Sequence, residues 1–311
     1  LVTGGCGYVG SVLVPKLLKA GHDVTVWDIQ WFGNYLEPHP SLSVIKADIR
    51  ECDYSLADTD AVIHLAAVAN DPTGELDPKL TWEVNSLATM RLADKAAREG
   101  VKQFIYASSG SVYGVCDEPE VTEELPLFPL SVYNKTKAVA ERVVLSYAGR
   151  MGVLILRPAT VCGISPRMRL DTIVNSFTIQ ALDTGVIKFK GGEQYRPNIH
   201  VDDMTDLYVW ALLRPGLRGI LNAGFQNLKI KDIARLVASR VPDTSILALE
   251  SDDPRSYRLN SDKLLGWGFA PHKTVENAID EIICQCKSGQ LRDEPQWHSI
   301  SFMRTDNATQ V

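Results

Sequence analysis

The chain contains 311 residues, of which 45% are hydrophobic and 23% charged, a balance that is ordinary for a soluble globular protein with ample core. Its net charge of −6, with no basic run, argues against nucleic acid as a partner. No apolar stretch approaches membrane-spanning length and no signal peptide is visible, so we expect a cytoplasmic protein with no membrane segment. The six cysteines are scattered without zinc-site spacing, which predicts free thiols and no metal centre.

The first element is a strand followed by a glycine-rich turn and a helix. Residues 1–3 are typical of the end of a buried strand, and residues 8–20 carry apolar side chains at helical spacing. Between them lies Thr3-Gly4-Gly5-Cys6-Gly7-Tyr8-Val9-Gly10, whose glycines permit a tight turn and a close approach of the backbone to a ligand. Free N–H groups at a helix start favour a pyrophosphate, so the pattern predicts a dinucleotide site.

A second predicted strand, residues 23–28, ends in Asp28, about twenty residues after the glycines. An acidic residue at this point of a βαβ unit binds the 2′-hydroxyl of an adenosine ribose and repels the 2′-phosphate of NADP. The pattern therefore favours NAD as the cofactor.

Strands and helices alternate through the first half of the chain, which indicates a doubly wound α/β fold with a Rossmann-type parallel sheet. The predicted strands are residues 1–3, 23–28, 42–46, 61–66, 102–107 and 152–157, and the predicted helices are 8–20, 79–99, 132–149, 203–213, 229–240 and 273–287. We expect an NAD-binding domain over residues 1–160, to which later segments return, and a mainly substrate-binding lobe over residues 161–311. The tail, residues 292–311, is polar and is expected to be partly extended over the surface.

Tyr133 and Lys137 are four residues apart near the start of a predicted helix and therefore share one face. A tyrosine with its usual pKa of about 10 is a poor base at neutral pH. A lysine ammonium and an oxidised nicotinamide ring beside it would both favour the phenolate. Ser109 follows a predicted strand, at the carboxyl edge of the sheet, where it can hold a reacting hydroxyl. The three residues predict proton transfer coupled to hydride transfer.

The combined motifs resemble those of the extended short-chain dehydrogenase/reductase family, in particular its nucleotide-sugar epimerases and dehydratases. The resemblance covers roughly residues 1–290 and includes the glycine-rich turn. The other matching segments are Asp48-Ile49, His64-Leu65-Ala66-Ala67, Asn85, Ser108-Ser109-Gly110-Ser111-Val112-Tyr113-Gly114, Tyr133 with Lys137, and Arg157-Pro158-Ala159-Thr160.

This resemblance implies how the cofactor is held. Asp48 and Ile49 would flank the adenine, Asn85 would lie behind the nicotinamide, and Pro158 would lie near its carboxamide. The complete set of implied cofactor-binding residues is Gly4, Gly7, Tyr8, Val9, Gly10, Asp28, Ile29, Asp48, Ile49, Leu65, Ala66, Ala67, Asn85, Ser108, Tyr133, Lys137 and Pro158. The implied catalytic residues are Ser109, Tyr133 and Lys137.

The resemblance also implies a homodimer, formed by helices 79–99 and 132–149 as a four-helix bundle. The apolar residues Leu87, Met90, Val143 and Val144 are compatible with this interface but could equally face the sheet.

Reactions in this family begin with hydride transfer from a sugar carbon, usually C4, to NAD. Family dehydratases carry an acidic pair after the catalytic Ser/Thr, where this chain has Gly110 and Ser111, and C3/C5 epimerases place a cysteine where Ser111 stands. Both reactions are therefore disfavoured, which leaves C4 epimerisation or net C4 oxidation or reduction. Residues 157–175 also resemble enzymes that oxidise GDP-linked heptoses at C4, so a 4-dehydrogenase and a GDP-sugar stay open.

Four residues are predicted to bind substrate: Ser111, Asn175, Arg196 and Arg255. Arg196 matches the family arginine that binds the diphosphate, and a planar guanidinium suits phosphate. Arg167 and Arg169 either close over the substrate or form an exposed basic pair.

Two rival interpretations remain. A non-catalytic NAD-binding protein is disfavoured because Tyr133 and Lys137 are both present, and a dehydrogenase for an apolar substrate is disfavoured by the arginines at 196 and 255.

Overall fold

Twelve strands and eleven α-helices follow one another along the part of the chain described by the computed structural model, residues 1–51, 53–116, 118–251 and 256–304. The strands are β1 (Val2–Thr3), β2 (Val24–Asp28), β3 (Leu42–Lys46), β4 (Ala61–His64), β5 (Gln103–Ala107), β6 (Gly152–Pro158), β7 (Thr160–Cys162), β8 (Val186–Lys190), β9 (Tyr195–His200), β10 (Gly219–Ala223), β11 (Gln226–Lys229) and β12 (Ser245–Leu249). The helices are α1 (Gly10–Lys19), α2 (Asp71–Gly74), α3 (Pro78–Trp82), α4 (Thr89–Arg98), α5 (Val132–Leu145), α6 (Ile173–Thr184), α7 (Val201–Leu212), α8 (Ile230–Ala238), α9 (Asp262–Gly266), α10 (Val275–Lys287) and α11 (Ser299–Arg304).

The central sheet has seven parallel strands in the order β10-β6-β5-β4-β1-β2-β3. Residues of its inner strands are buried on both faces, which explains the continuous apolar runs in the sequence. The order of the strands reverses between β1 and β4, and ligands of doubly wound sheets bind at the carboxyl ends beside such a reversal. The predicted fold class is confirmed.

The second half of the chain contributes both to this sheet and to a smaller layer. β10 pairs with β6 at the sheet edge, and the antiparallel pair β11–β9 is extended by β7, which runs parallel to β9. α6, α8 and α10 pack around a separate apolar cluster that includes Phe177, Ile233 and Ile279. β7 is followed by an irregular segment, residues 163–172, whereas β9 continues directly into α7.

The prediction of one regular helix over residues 79–99 is wrong. It consists of α3, a π-helical stretch Glu83–Ala88, and α4. At the end of the π-helical stretch the hydroxyl of Thr89, the first residue of α4, donates to the carbonyl of Asn85 at 2.8 Å, and the Asn85 amide bonds to the backbone of Val68. Tertiary hydrogen bonds, which helical spacing does not reveal, account for the irregularity.

The tail, expected to be partly extended, is mostly helical over residues 295–304. Pro295–Trp297 forms a 3₁₀ turn, and α11 follows it. Trp297 is buried and its ring lies 5.5 Å from that of Tyr35, while the rings of Phe302 and Phe32 are 4.9 Å apart. Aromatic packing against the loop that follows β2 holds this segment in place.

No helix within the described ranges is long and apolar enough to cross a membrane. Cys6, Cys116, Cys162, Cys284 and Cys286 are free thiols, and Cys52 lies outside the described residues.

Candidate active site

The glycine-rich turn packs directly against the neighbouring strand end. Gly4 has a φ of +72°, and a Cβ there would lie 2.6 Å from the backbone nitrogen of Ala66. A Cβ on Gly10 would lie 2.5 Å from the carbonyl oxygen of Gly4, so α1 can approach the turn only because position 10 is glycine. The helix therefore begins at Gly10, two residues later than predicted, and presents its N-terminus to the crevice between β1 and β4.

A cavity of about 510 Å³ runs along this edge of the sheet. Most of the predicted site residues line it together: Gly4, Gly7, Tyr8, Val9, Gly10, Asp28, Ile29, Asp48, Ile49, Leu65, Ala66, Ala67, Ser108, Ser109, Ser111, Tyr133, Lys137, Pro158 and Arg196. The cavity thus joins the candidate dinucleotide turn to the candidate catalytic residues.

Two predicted residues lie behind the cavity wall. Asn85 is buried outside the cavity, where its side-chain amide pairs with both the N–H and the C=O of Val68, a residue that does line the cavity. Asn175 is also buried and absent from the cavity wall; it donates to the Tyr8 hydroxyl at 3.1 Å and accepts from the N–H of Gly163 at 3.0 Å. Both side chains support the wall through these hydrogen bonds. A third predicted residue, Arg255, lies outside the described residues.

Asp28 ends β2 at the adenosine side expected for a dinucleotide. Its carboxylate accepts from the N–H of Gln30 at 2.7 Å and from the N–H of Cys6 in the glycine-rich turn at 2.9 Å. Burial raises the pKa of Asp28, and these two N–H donors oppose that rise. The carboxylate is therefore held in one orientation in the cavity wall, as an acceptor for ribose hydroxyls would have to be.

Replacing Asp28 with alanine is expected to relax discrimination against NADP. The loss of one charged acceptor should weaken NAD binding and lower the ratio of the NADP to the NAD dissociation constant by about tenfold or more. Calorimetric titration with both dinucleotides measures this ratio. The exposed Asp23, at the other end of the same strand, provides the control variant Asp23→Ala. An unchanged ratio in Asp28→Ala would mean that Asp28 does not contact the adenosine ribose.

Tyr133 and Lys137 lie in the first turns of α5, as their spacing predicts. The Ser131 hydroxyl caps this helix by accepting from the N–H of Asn134 at 3.1 Å. Lys137 is buried, its Nζ donates to the carbonyl of Ala107 at 2.8 Å, and the same Nζ lies 6.0 Å from the centre of the Tyr133 ring. The end of β5 therefore fixes the lysine beside the tyrosine.

The two side chains have shifted pKa values. Burial lowers the pKa of Lys137 to about 7, and the Glu141 carboxylate opposes that shift. Burial raises the pKa of Tyr133 to about 12, and a hydrogen bond with Ser109 acts in the opposite direction. Burial therefore favours the protonated form of the tyrosine at neutral pH, and a further positive charge beside it would favour the phenolate.

A short chain of hydroxyl groups leads away from Tyr133. The hydroxyls of Ser109 and Ser111 lie 2.7 Å apart, and Ser111 donates to the Asn134 side-chain oxygen at 2.6 Å. The partners of the Ser111 hydroxyl are thus a serine hydroxyl and a side-chain amide, and neither is an acid or a base. Sequence reasoning missed Asn134, although it directly follows the tyrosine.

Behind Lys137 lies a buried ion pair. Glu141, one turn further along α5, accepts from Arg157 Nε at 2.9 Å and from Arg157 Nη2 at 2.6 Å, and both side chains are at most 3% exposed. Ser108 also donates to Glu141, and Arg157 Nη1 donates to the Tyr113 hydroxyl at 2.6 Å. This network ties α5 to β6 and to the loop after β5, and so fixes the helix that carries the candidate catalytic pair.

Several wall residues were not predicted from the sequence. The segment 68–73 lines the cavity, and within it Asn70 has a positive φ of 74° and caps α2. Asp71 accepts from the Ser131 hydroxyl at 2.5 Å, which joins α2 to the start of α5. Ser299, Ile300 and Met303 of α11 form another part of the wall. Among these wall residues, only the sequence Asn70-Asp71-Pro72, which is typical of a helix start, could have been noticed in the sequence.

Arg167 and Arg169 also line the cavity, so the interpretation of an exposed basic pair is wrong. Arg167 is 3% exposed. Arg169 donates from Nε to Asp171 at 2.7 Å, and its charge acts on Tyr133. The Arg169 charge also acts on Arg167, and both arginines act on Tyr8.

A cavity that combines a dinucleotide turn with a tyrosine–lysine pair at the nicotinamide end defines a class, the Rossmann-type NAD-dependent oxidoreductases. The chain belongs to the NAD-dependent epimerase/dehydratase family, whose family model matches residues 1–224. The predicted resemblance to the nucleotide-sugar group of extended short-chain dehydrogenases and the prediction of NAD as cofactor are confirmed.

Individual relatives fall within the same group. UDP-glucuronic acid decarboxylase 1 of Xenopus tropicalis is 32% identical over 306 residues, which cover 91% of this chain and 70% of that protein. The structure of MoeE5 in complex with UDP-glucuronic acid and NAD has a TM-score of 0.81 at 28% identity and covers 92% of this chain and 98% of that one. The UDP-glucuronic acid 4-epimerase of Bacillus cereus, in complex with UDP-glucuronic acid and NAD, has a TM-score of 0.82 at 26% identity and covers 92% and 98%.

Proposed function

We propose that this enzyme oxidises a nucleotide sugar at C4, with Tyr133 as the base and NAD as the hydride acceptor, and acts as a C4 epimerase or a 4-dehydrogenase. The observation that carries the proposal is that Ser109, Tyr133 and Lys137 line the same cavity as the glycine-rich turn, and that this cavity extends to Arg196. A sugar C4 can then meet the tyrosine and the nicotinamide while its diphosphate reaches the arginine.

The proposed step removes one proton and one hydride from the sugar. The Tyr133 phenolate accepts the proton of the C4 hydroxyl, Ser109 holds the same hydroxyl in line, and the C4–O bond becomes a carbonyl as the C4–H bond breaks. Bound NAD supplies the acceptor for that hydride. Lys137 remains beside the tyrosine and stabilises its anionic form when protonated.

The fate of the 4-keto sugar distinguishes the alternatives. Return of the hydride to the other face gives an epimer, and release of the ketone gives a 4-dehydrogenase. The relative that is a UDP-glucuronic acid decarboxylase adds a third possible fate of the 4-keto sugar. In an oxidised hexuronate the C4 ketone is β to the C6 carboxylate, so this intermediate can lose CO₂. Elimination of water across C5–C6 remains disfavoured, because Gly110 and Ser111 supply no acid–base group.

The nucleotide is proposed from the relatives. All three relatives named above carry UDP-glucuronic acid in their names or titles, which makes this sugar the first substrate to test. A GDP-sugar stays the alternative, from the resemblance of residues 157–175.

Incubation of the purified protein with UDP-glucuronic acid, UDP-glucose and GDP- and dTDP-hexoses tests the proposal. NADH absorbance, product identity and CO₂ release are followed together. A C4-inverted sugar without net NADH establishes an epimerase, and accumulating NADH with a 4-keto sugar establishes a dehydrogenase. Loss of water as the first detectable product, or no reaction with any nucleotide sugar, contradicts the proposal.

Arg196, on β9, is proposed to bind the substrate diphosphate. Arg196→Ala is expected to raise the dissociation constant of the nucleotide sugar by about 10- to 100-fold, because a charge-assisted contact is lost, while NAD binding stays unchanged. Titration with each ligand separately measures both constants, and the exposed Arg235 gives the control Arg235→Ala. Equal losses of sugar and NAD affinity would indicate a damaged fold.

We also propose a homodimer through α4 and α5. Leu87 and Met90 are 48% and 41% exposed, which suits an interface, whereas Val144 is buried in the core against the sheet and Val143 is half-buried. Light scattering of the purified protein tests the dimer, and a monomeric mass at micromolar concentration would contradict it.

A further inference from the structure

Arg167 is a buried cation in the wall of the cofactor cavity. It lies on the segment between β7 and α6, and it is only 3% exposed. Its guanidinium carbon lies 3.9 Å from the centre of the Phe32 ring, and its Nη2 donates to the Ser299 hydroxyl at 3.2 Å. Ring stacking from the loop after β2 and a hydroxyl from α11 therefore hold the guanidinium plane in one orientation.

The Asp171 and Asp28 carboxylates act to raise the pKa of Arg167, but burial and the Arg169 charge outweigh them. The Nε of Arg167 has no hydrogen-bond partner among the described residues, and the partner of Nη2 is a neutral hydroxyl. Burial and the Arg169 charge lower the pKa of Arg167 to about 10, so the group is still a cation at neutral pH. A buried cation with an unpartnered N–H group is costly, and a cavity wall that carries such a group favours an anionic ligand.

The position of Arg167 decides which anion fits. Ser165, two residues earlier, donates to the carbonyl of Tyr8 at 2.7 Å, and Tyr8 belongs to the glycine-rich turn at the N-terminus of α1. Asp28, in the same wall, is affected by the charge of Arg167. Arg169 acts on Arg167, on Tyr8 and also on Tyr133. Arg167 thus belongs to the part of the cavity wall that adjoins the glycine-rich turn and Asp28.

We infer that Arg167 binds the pyrophosphate of the dinucleotide together with the glycine-rich turn, held in position by Phe32 and Ser299. The cofactor phosphates would then be bound between backbone N–H groups of the first βα turn and a side chain from the second half of the chain. This inference depends on NAD binding and not on the reaction proposed above.

Binding measurements without substrate test it. Arg167→Met keeps an unbranched apolar stem but removes the guanidinium and its charge, and is expected to raise the dissociation constants of NAD and ADP-ribose by about 10- to 100-fold each. Weak binding of adenosine, which lacks the phosphates, should not change. Arg167→Lys should show a smaller loss than Arg167→Met, since the charge remains and the planar fork is lost. Arg214→Met is the matched control, because Arg214 stacks on Trp210 at 4.1 Å but is exposed outside the cavity.

Thermal unfolding separates this role from a structural one. The ligand-free Arg167→Met protein should be as stable as the wild type or more stable, since a buried cation is removed, and the rise in Tm on addition of NAD should shrink. Loss of stability without NAD, together with wild-type affinity for NAD and ADP-ribose, would overturn the inference. So would a loss confined to NADP or to the nucleotide sugar, because Arg167 would then bind a different phosphate.

Discussion

Replacing Tyr133 with phenylalanine is expected to lower kcat by about 10²- to 10⁴-fold, the range typical for loss of a general base. The phenyl ring keeps the packing beside Lys137, so NAD should bind almost as in the wild type. Steady-state rates with the nucleotide sugar that the incubations find to react, together with NAD titration, measure the two effects. The wild-type rate should rise with pH toward the pKa of Tyr133, which the bound nicotinamide cation holds below the ligand-free value of about 12.

The same experiment has a clear control. Tyr147 lies at the end of α5, with its hydroxyl 3.5 Å from Asp94, and does not line the cavity, so Tyr147→Phe should leave kcat unchanged. The rise of rate with pH should disappear from the residual activity of Tyr133→Phe. Near-normal turnover by Tyr133→Phe would refute its role as the base, and a parallel loss of NAD binding would indicate a disturbed fold.

Glu141→Gln is expected to reduce the free energy of unfolding by about 3–5 kcal/mol, because it leaves Arg157 as a buried, unpaired cation. Both side chains are almost fully buried, and two N–H groups of the guanidinium donate to the carboxylate. Ser108 would keep only a neutral partner. Urea unfolding of the ligand-free protein near pH 7 measures the change.

A double variant identifies the cause. Glu141→Leu combined with Arg157→Met removes both charges, and should recover much of the stability lost in Glu141→Gln, since apolar replacement of a buried pair is often nearly neutral. Asp94→Asn, which breaks the exposed pair with Arg98, should have little effect. A loss below about 1 kcal/mol in Glu141→Gln would mean that water reaches the pair and that it is not a rigid support for α5.

Local sequence was sufficient to predict the parts of the site that are built from one strand and the turn after it. The glycines at 4 and 10, Asp28 and the pair Tyr133–Lys137 all owe their positions to a strand end or to one helical turn. The periodicity of apolar residues and the spacing of polar ones predict such positions directly, because residues close in sequence are also close in space.

The remaining parts depend on contacts between residues that are far apart in sequence. Asn85 and Asn175 have the chemistry of ligand-binding side chains, yet their amide groups are used by the backbone of Val68 and by Tyr8 and Gly163. Asn175 and Tyr8 are 167 positions apart, and no local pattern indicates that they meet. For the same reason the sequence does not predict the helical turns of the tail. The rings that pack against them, Tyr35 and Phe32, lie in the loop after β2, far from the tail in sequence.

The contribution of α11 to the cavity wall has a consequence for biosynthesis. A growing chain emerges from the ribosome with its N-terminal end first, and the glycine-rich turn and Asp28 can pack against β4 early. Ser299 and Met303 emerge only after more than 290 residues, so the last wall of the cofactor cavity is added at a late point in synthesis. The dinucleotide therefore meets an open half-site on the nascent protein and an enclosed one only after the later residues have folded back.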